Sequence, residues 1–284
     1  VADHSKEVVP GPVRAHHRPM KIYRHRWPIR LMHWINVICL TVLLGSGLQI
    51  FNAHPSLSWG ETNTPQSTWL ELTAVGGEDG RPHGRTILFG HSIPTDGVLG
   101  ASALDGNHVQ RGFPSWATIP GSRSLALGRR WHFFFGWLFV LNGAAYIAWS
   151  VGSRHLSRDL IPTRSDWRGL GQSIKDHLRL RHTDDADARY NVLQRLAYLG
   201  VIVAACAIVT MGLTLSPRLN AAFPWLVDMV GGRQSARSFH FLLACSLVAF
   251  VAVHVFEVLI SGVVNQLRSM ITGYVKVKDS HEHE

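Results

Sequence analysis

Four apolar runs, each about as long as a lipid bilayer is thick, constrain this chain more than any other feature of its sequence. Trp34–Phe51, Trp131–Val151, Leu196–Leu215 and Phe239–Val264 all reach the roughly 18–20 residues a helix needs to cross the hydrocarbon core. The fold class this predicts is all-α: an integral membrane four-helix bundle. Residues 52–128 form a long loop between helices 1 and 2, and residues 152–190 a connector between helices 2 and 3. The first 28 residues are polar and basic and lack the apolar centre of a cleavable signal peptide. The first span is therefore expected to act as the insertion signal.

The formal charge of +9 raises the question of nucleic acid, and its distribution answers it. Seven Lys/Arg precede span 1, nine lie between spans 2 and 3, and three follow span 4, against six and three in the other two connections. The density is highest in the amino-terminal tail and the 2–3 connector, which the positive-inside rule places in the cytoplasm. The charge reads as topology with attraction to the lipid bilayer, and nucleic-acid binding is excluded as the function. Cys39, Cys206 and Cys245 fall inside spans and act as small hydrophobes. No spacing of Cys and His matches a zinc or iron–sulfur site.

The expected organisation is a flexible cytoplasmic arm over 1–28, a helical domain over 29–270 and a frayed cytoplasmic tail over 271–284. The outer loop is rich in Gly, Pro, Ser and Thr, and its composition suggests a hairpin around "RTILFG". Its Trp59, Trp69 and Trp116 are expected at the membrane surface or against a partner. In the connector, Ser165 as N-cap and apolar residues at 167, 170, 174, 178 and 180 suggest an interfacial amphipathic helix.

Ionisable residues inside spans are rare and usually functional, and span 4 holds two, His240 and His254. Fourteen residues place them about 21 Å apart along a helix and within about 40° of the same face. Each has a counterpart at its own depth. His132 holds the second position of span 2 as His240 does of span 4, and His33 lies at the cytoplasmic end of span 1, the leaflet His254 reaches. Two opposed pairs result, His132/His240 outside and His33/His254 inside. Paired imidazoles on facing helices suit six-coordinate haem iron, whereas zinc asks for four close ligands. The alternative for any one histidine is an interhelical hydrogen bond. Arg130, with Arg129, precedes His132, Arg237 precedes His240, and Arg30, with Arg26, lies near His33. These cations can neutralise haem propionates or anchor the helix ends by snorkelling.

The stretches "HRWPIRLMHW", "GRRWHFFFGW" and "YNVLQRLAYLG", with the His240/His254 pair, resemble the four-helix dihaem cytochromes b of the bacterial cytochrome b561 and nickel–iron hydrogenase/formate dehydrogenase type. The resemblance covers residues 22–275. It implies a bacterial inner-membrane protein with both termini cytoplasmic. It also implies two b-type haems, one on His33 and His254 and one on His132 and His240, passing electrons between membrane quinone and a periplasmic redox partner. "YNVLQR" is similar to the family stretch whose Asn helps bind quinone, which implies a site at Asn191 with Gln194 beside it. Glu257, the only carboxylate in any span, can relay the quinone's proton there or pair with Arg26 or Arg30. The long first loop looks more like cytochrome b subunits that serve periplasmic molybdopterin oxidoreductases of the sulfite-oxidase type. Three other functions stay open: a stand-alone b561-type oxidoreductase acting on superoxide or a ferric chelate, a cytochrome b subunit of a hydrogenase or formate dehydrogenase, and a haem-free anchor or transporter subunit. Whether the chain is itself an enzyme, rather than the quinone-reactive subunit of one, is also open.

Overall fold

A computed structural model describes residues 20–154 and 192–277, with isolated positions between them. Among the described residues four helices are long and apolar enough to cross a membrane: α1 (Trp27–Phe51), α2 (Leu125–Gly152), α3 (Val192–Thr214) and α6 (Arg233–Ile260). Two short helices, α4 (Pro217–Ala222) and α5 (Trp225–Asp228), join α3 to α6, and α7 (Val263–Thr272) follows α6. The spans start earlier than hydropathy predicts, at Trp27, Leu125 and Arg233 rather than Trp34, Trp131 and Phe239. Basic and small polar residues leave the hydrocarbon there without leaving the helix. Ser124 caps α2, its hydroxyl accepting from Leu127 N–H at 3.3 Å, which satisfies one of the orphan donors of a helix start.

The all-α expectation is corrected between α1 and α2. That segment folds into a β-domain: β2 (Ser56–Ser58), β3 (Thr68–Gly76), β4 (Pro82–Leu88) and β5 (His91–Pro94) form an antiparallel sheet in chain order. A second hairpin joins β6 (Ala101–Leu104) to β7 (Asn107–Gln110). The hairpin expected at "RTILFG" is the β4–β5 turn. Phe89 and Gly90 occupy its two central positions with φ of 49° and 82°, the doubly positive pair that a tight two-residue turn demands.

The β-domain has its own core of Phe51, Leu57, Trp69 and Leu72, with Phe113 and Phe241 packed against it. Fully burying a large apolar side chain contributes about 1.5–3 kcal/mol. Two of these residues, Phe51 and Phe241, belong to α1 and α6, so the β-domain is built onto the helix ends. Trp69 is thus a core residue and not a surface anchor, whereas Trp116 is 80% exposed. Arg111 is 3% exposed and donates to the carbonyls of Phe113 (2.7 Å) and Gly121 (3.3 Å) and to the Thr118 hydroxyl (3.1 Å). Burial, with Arg123 nearby, pushes its pKa down.

The chain forms two compact units, one of residues 31–257 and one of the two chain ends. The ends are more ordered than the sequence suggests. β1 (Met20–Tyr23) pairs antiparallel with β8 (Tyr274–Val277), so neither the arm up to Arg24 nor the tail after Met270 is free throughout. The amphipathic helix expected around residues 165–180 lies outside the described residues.

Candidate functional site

Helices α1, α2 and α6 bring the four span histidines together two by two. His132 and His240 have ring centroids 6.2 Å apart with planes at 66°. His33 and His254 have centroids 6.3 Å apart with planes at 71°. A metal–imidazole nitrogen bond is about 2 Å. Two imidazoles bound on opposite sides of one metal ion therefore have centroids about 6.3 Å apart by the same bond length. Both separations leave room for one ion between the rings.

At the first pair the hydrogen bonds fix the tautomers. The Ser46 hydroxyl donates to the Val42 carbonyl at 2.6 Å, so its oxygen accepts from His132 Nδ1–H at 3.1 Å. His240 Nδ1 lies 3.0 Å from the Ile208 carbonyl, which can only accept. Both rings therefore carry hydrogen on Nδ1 and leave the Nε2 lone pair for a metal. Such orienting bonds to the second nitrogen accompany most metal-bound histidines. Glycines give both rings space: a Cβ on Gly47 would stand 3.4 Å from His132 Cε1, and one on Gly212 would stand 3.2 Å from His240 Cε1.

The second pair is held differently. The Phe250 ring stacks parallel to His254 at 6.0 Å, and Trp34 meets His33 edge-on at 5.5 Å. Among the described residues neither ring has a hydrogen-bond partner. Asn142, buried in α2, braces the same stretch of α1 by donating to the Met32 carbonyl (2.9 Å) and to Asn36 Oδ1 (2.8 Å). Small residues of α3 (Ala197, Gly200, Ala204) face Ser246, Leu247 and Phe250 of α6 across a mostly apolar cavity of about 260 Å³. Among the described residues no group of three or more His, Cys, Asp or Glu converges, so neither pair offers the four ligands of a structural zinc.

The other predicted residues divide. The Arg237 guanidinium donates to the His54 carbonyl and lies over the Phe51 ring at 5.5 Å, fastening the β-domain to α6. Arg30 donates to the Ile271 carbonyl at 2.5 Å, within the unit of the chain ends. Arg130 is exposed at the start of α2, and Gln194 is exposed in the first turn of α3. Glu257 follows His254 by one helical turn on α6. Asn191 lies outside the described residues. The sequence reading missed Ser46, Gly47, Gly212 and Asn142. The run "GSG" at residues 45–47, inside an otherwise bulky span, was the signal for the first two.

The β-domain meets the bundle directly beside the first pair. Ser238 donates to the Ser58 carbonyl (2.7 Å) and accepts from Trp69 Nε1 (3.0 Å), and the Gly60 N–H donates to Ser235 Oγ (2.8 Å). Within the β-domain, His83 bridges Asp79 and Asp96, with each ring nitrogen 3.0 Å from a carboxylate oxygen. Carboxylate groups on both sides favour the doubly protonated His83 ring. Its pKa is raised, first by the Asp79 hydrogen bond and next by Asp96.

Comparison with known proteins adds a family. The profile described as prokaryotic cytochrome b561 matches residues 24–273. A putative protein-methionine-sulfoxide reductase subunit YedZ1 of Azospira oryzae is 28% identical over 248 residues, covering 87% of this chain and 94% of that protein. A probable Ni/Fe-hydrogenase B-type cytochrome subunit of Cupriavidus necator is 26% identical over 182 residues, or 57% of this chain and 75% of that one. The probable Ni/Fe-hydrogenase 1 B-type cytochrome subunit of Escherichia coli K12 is 22% identical over 263 residues, 87% of each chain.

Proposed function

The chain belongs to the prokaryotic cytochrome b561 family, a family of haem-binding electron-transfer proteins of the membrane, and from that premise we propose that it holds two haems b. His132 and His240 would ligate one and His33 and His254 the other. The observation that carries this reading is the pair of ring separations, 6.2 and 6.3 Å, set fourteen residues apart on α6. Fourteen residues are about 21 Å of helix, most of the roughly 30 Å hydrocarbon core. The two pairs thus give electrons a relay from one leaflet to the other.

Bound haem supplies one-electron exchange at its iron. The chain's own residues do the rest. Ser46 and the Ile208 carbonyl orient His132 and His240, while Phe250 and Trp34 hold the rings of the second pair. Quinone would react at the end of the bundle that carries His33 and His254. There Asn191 and Gln194 of the α3 entrance would bind its head group, and Glu257 would exchange its proton. With both termini in the cytoplasm of a bacterium, that end faces inward and the β-domain faces the periplasm.

The partner we propose is a periplasmic redox enzyme docked on the β-domain, of the molybdopterin, sulfite-oxidase type. Support comes from the β-domain itself, a folded platform fastened to the histidine-bearing end of α6. It comes also from similarity: the relative named as a methionine-sulfoxide reductase subunit is 28% identical and spanned over 94% of its length, against 22% and 87% for the Escherichia coli hydrogenase subunit.

The test is haem loss by pairs. His132→Ala and His240→Ala should each reduce haem content from two to one per chain and remove the same spectral species. His33→Ala and His254→Ala should remove the other. If the two variants of one pair lose spectrally different haems, the ligand assignment is wrong.

A further inference from the structure

The two chain ends form a clasp whose surface the redox reading does not use. β1 pairs with β8 from Met20↔Val277 to Tyr23↔Tyr274. The N–H groups of Arg24 and His25 both point to the Gly273 carbonyl, at 2.8 and 3.4 Å. Gly273 has φ of 89°, and a Cβ there would come within 2.7 Å of the Tyr23 ring, so only glycine closes this corner. Arg30 holds the Ile271 carbonyl. The carboxyl end of α7 is therefore fixed against the start of α1.

Helix α7 begins where a left-handed residue, Gly262 with φ of 90°, breaks it away from α6. At 100° per residue, Val264, Leu267 and Ile271 fall within about 60° of one another and form a stripe. All three are exposed, by 67%, 43% and 64%. Arg268 lies on the edge of that stripe, about 40° from Val264. Trp27 and Tyr274 of the same unit are exposed as well. An apolar stripe on a helix with a cation at its margin is the pattern of helices that lie in the membrane interface.

Charge identifies what covers the stripe. Among the described side chains of this unit, in residues 22–30 and 258–275, stand Arg24, Arg26, Arg30 and Arg268 and no Asp or Glu. Four cations and no carboxylate among the described residues fit a partner of negative charge. The unit also contains the first residues of one membrane-crossing helix and the last of another, Trp27–Arg30 and Val258–Ile260. A lipid surface is thus within reach by covalent connection alone.

We propose that the terminal clasp is an interfacial anchor whose partner is anionic phospholipid of the bilayer. Val264, Leu267 and Ile271 enter the headgroup–acyl boundary, and Arg24, Arg26 and Arg268 meet lipid phosphates. This proposal does not depend on the haem assignment.

The experiment uses the full-length protein in uncharged detergent with equal amounts of phosphatidylglycerol and phosphatidylcholine, and counts retained lipid by native mass spectrometry. A basic residue near an anionic surface contributes a factor of about five. Wild-type protein should therefore retain phosphatidylglycerol preferentially, and Arg24→Gln/Arg26→Gln/Arg268→Gln should lower that preference by about 100-fold on the same scale. Raising the salt should weaken the wild-type preference without any substitution, because the screening length falls from about 8 Å to about 3 Å at 1 M. This arm stands even if the triple variant does not fold. Equal retention of the two lipids by wild type, or undiminished selectivity in the folded triple variant, overturns the proposal. Displacement of phosphatidylglycerol by millimolar inorganic phosphate overturns it in favour of a free-phosphate site.

Discussion

Ser46→Ala isolates one hydrogen bond at the first histidine pair. The Ser46 hydroxyl donates to the Val42 carbonyl and accepts from His132 Nδ1–H at 3.1 Å. Alanine removes this acceptor and leaves the buried His132 N–H with the Leu43 carbonyl as its remaining partner, so the cost is that of one lost hydrogen bond, about 0.5–1.5 kcal/mol. The Val42 carbonyl keeps its helical partner, so the loss falls mainly on the imidazole. The cost is equivalent to roughly a 2–10-fold loss of metal-centre affinity, at the low end of what removing an orienting partner of a ligating histidine does. The partner bond also makes the imidazole a stronger base and favours the oxidised iron, so its loss should raise the reduction potential of the haem at this pair. His240 is an internal control, because its Nδ1 partner is the Ile208 carbonyl, which substitution at Ser46 leaves in place. The assay is haem titration of the purified apoprotein followed by spectropotentiometry. One haem of the two should bind more weakly and titrate at higher potential, and the other should not change. Wild-type affinity and potential at both would refute the claim that Ser46 orients a ligand.

Two further outcomes concern the β-domain. Leu72→Ala removes a side chain that is almost fully buried in the β-domain core and should cost about 2–5 kcal/mol. Limited proteolysis between residues 52 and 124 should then be markedly faster, and an unchanged cleavage rate would place the core elsewhere. His83, raised in pKa by Asp79 and then Asp96, strengthens the domain fully below its unfolded value of about 6.5. That contribution is lost as pH rises through the higher folded value. Protection factors in the β4–β5 hairpin, corrected for the base-catalysed intrinsic exchange rate, should fall on going from pH 6 to alkaline buffer in wild type. They should show no such histidine-linked step in His83→Gln.

What could be read from the sequence tracks how local each signal is. The four spans were legible because hydrophobic length is a property of a contiguous run, and the histidine pairs because helical geometry converts spacing into depth. Helix ends were not legible. Arg233 and Arg26 look like the water-exposed margin of a span, yet helical hydrogen bonding continues through or begins beside them. The β-domain escaped because its strands do not alternate cleanly. In β3 the buried residues Trp69 and Leu72 are three apart, and the pairing of β2 with β3 shifts register between Leu57 and Ser58. A period-two search fails on such a strand. The β1–β8 clasp joins four-residue strands some 250 positions apart, and neither strand has enough residues to announce itself. Ser46, Gly47 and Gly212 are small residues in apolar helices, where helix packing alone would account for them. Only their contacts with the imidazoles give them a role.

The amino-terminal turns of α6 bind two things at once. Ser235, Arg237 and Ser238 hold the β-domain through Gly60, His54, Ser58 and Trp69, and Phe241 enters its core beside Phe51. His240, one residue before Phe241 and two after Ser238, turns to His132 and the Ile208 carbonyl. A helix of two turns is far stiffer than a loop, so displacement of the β-domain is carried into the position of the His240 ring. A redox partner seated on this domain would therefore meet a platform fixed to the His240 ring, the proposed ligand of the nearer haem, not a tether. The distance between the docked centre and the His132/His240 pair would then be set by the packing of Phe51, Trp69 and Phe241. Electron tunnelling depends steeply on distance, so this rigidity explains why an electron-transfer chain would keep a folded β-domain at this position when a short loop would suffice to join α1 to α2.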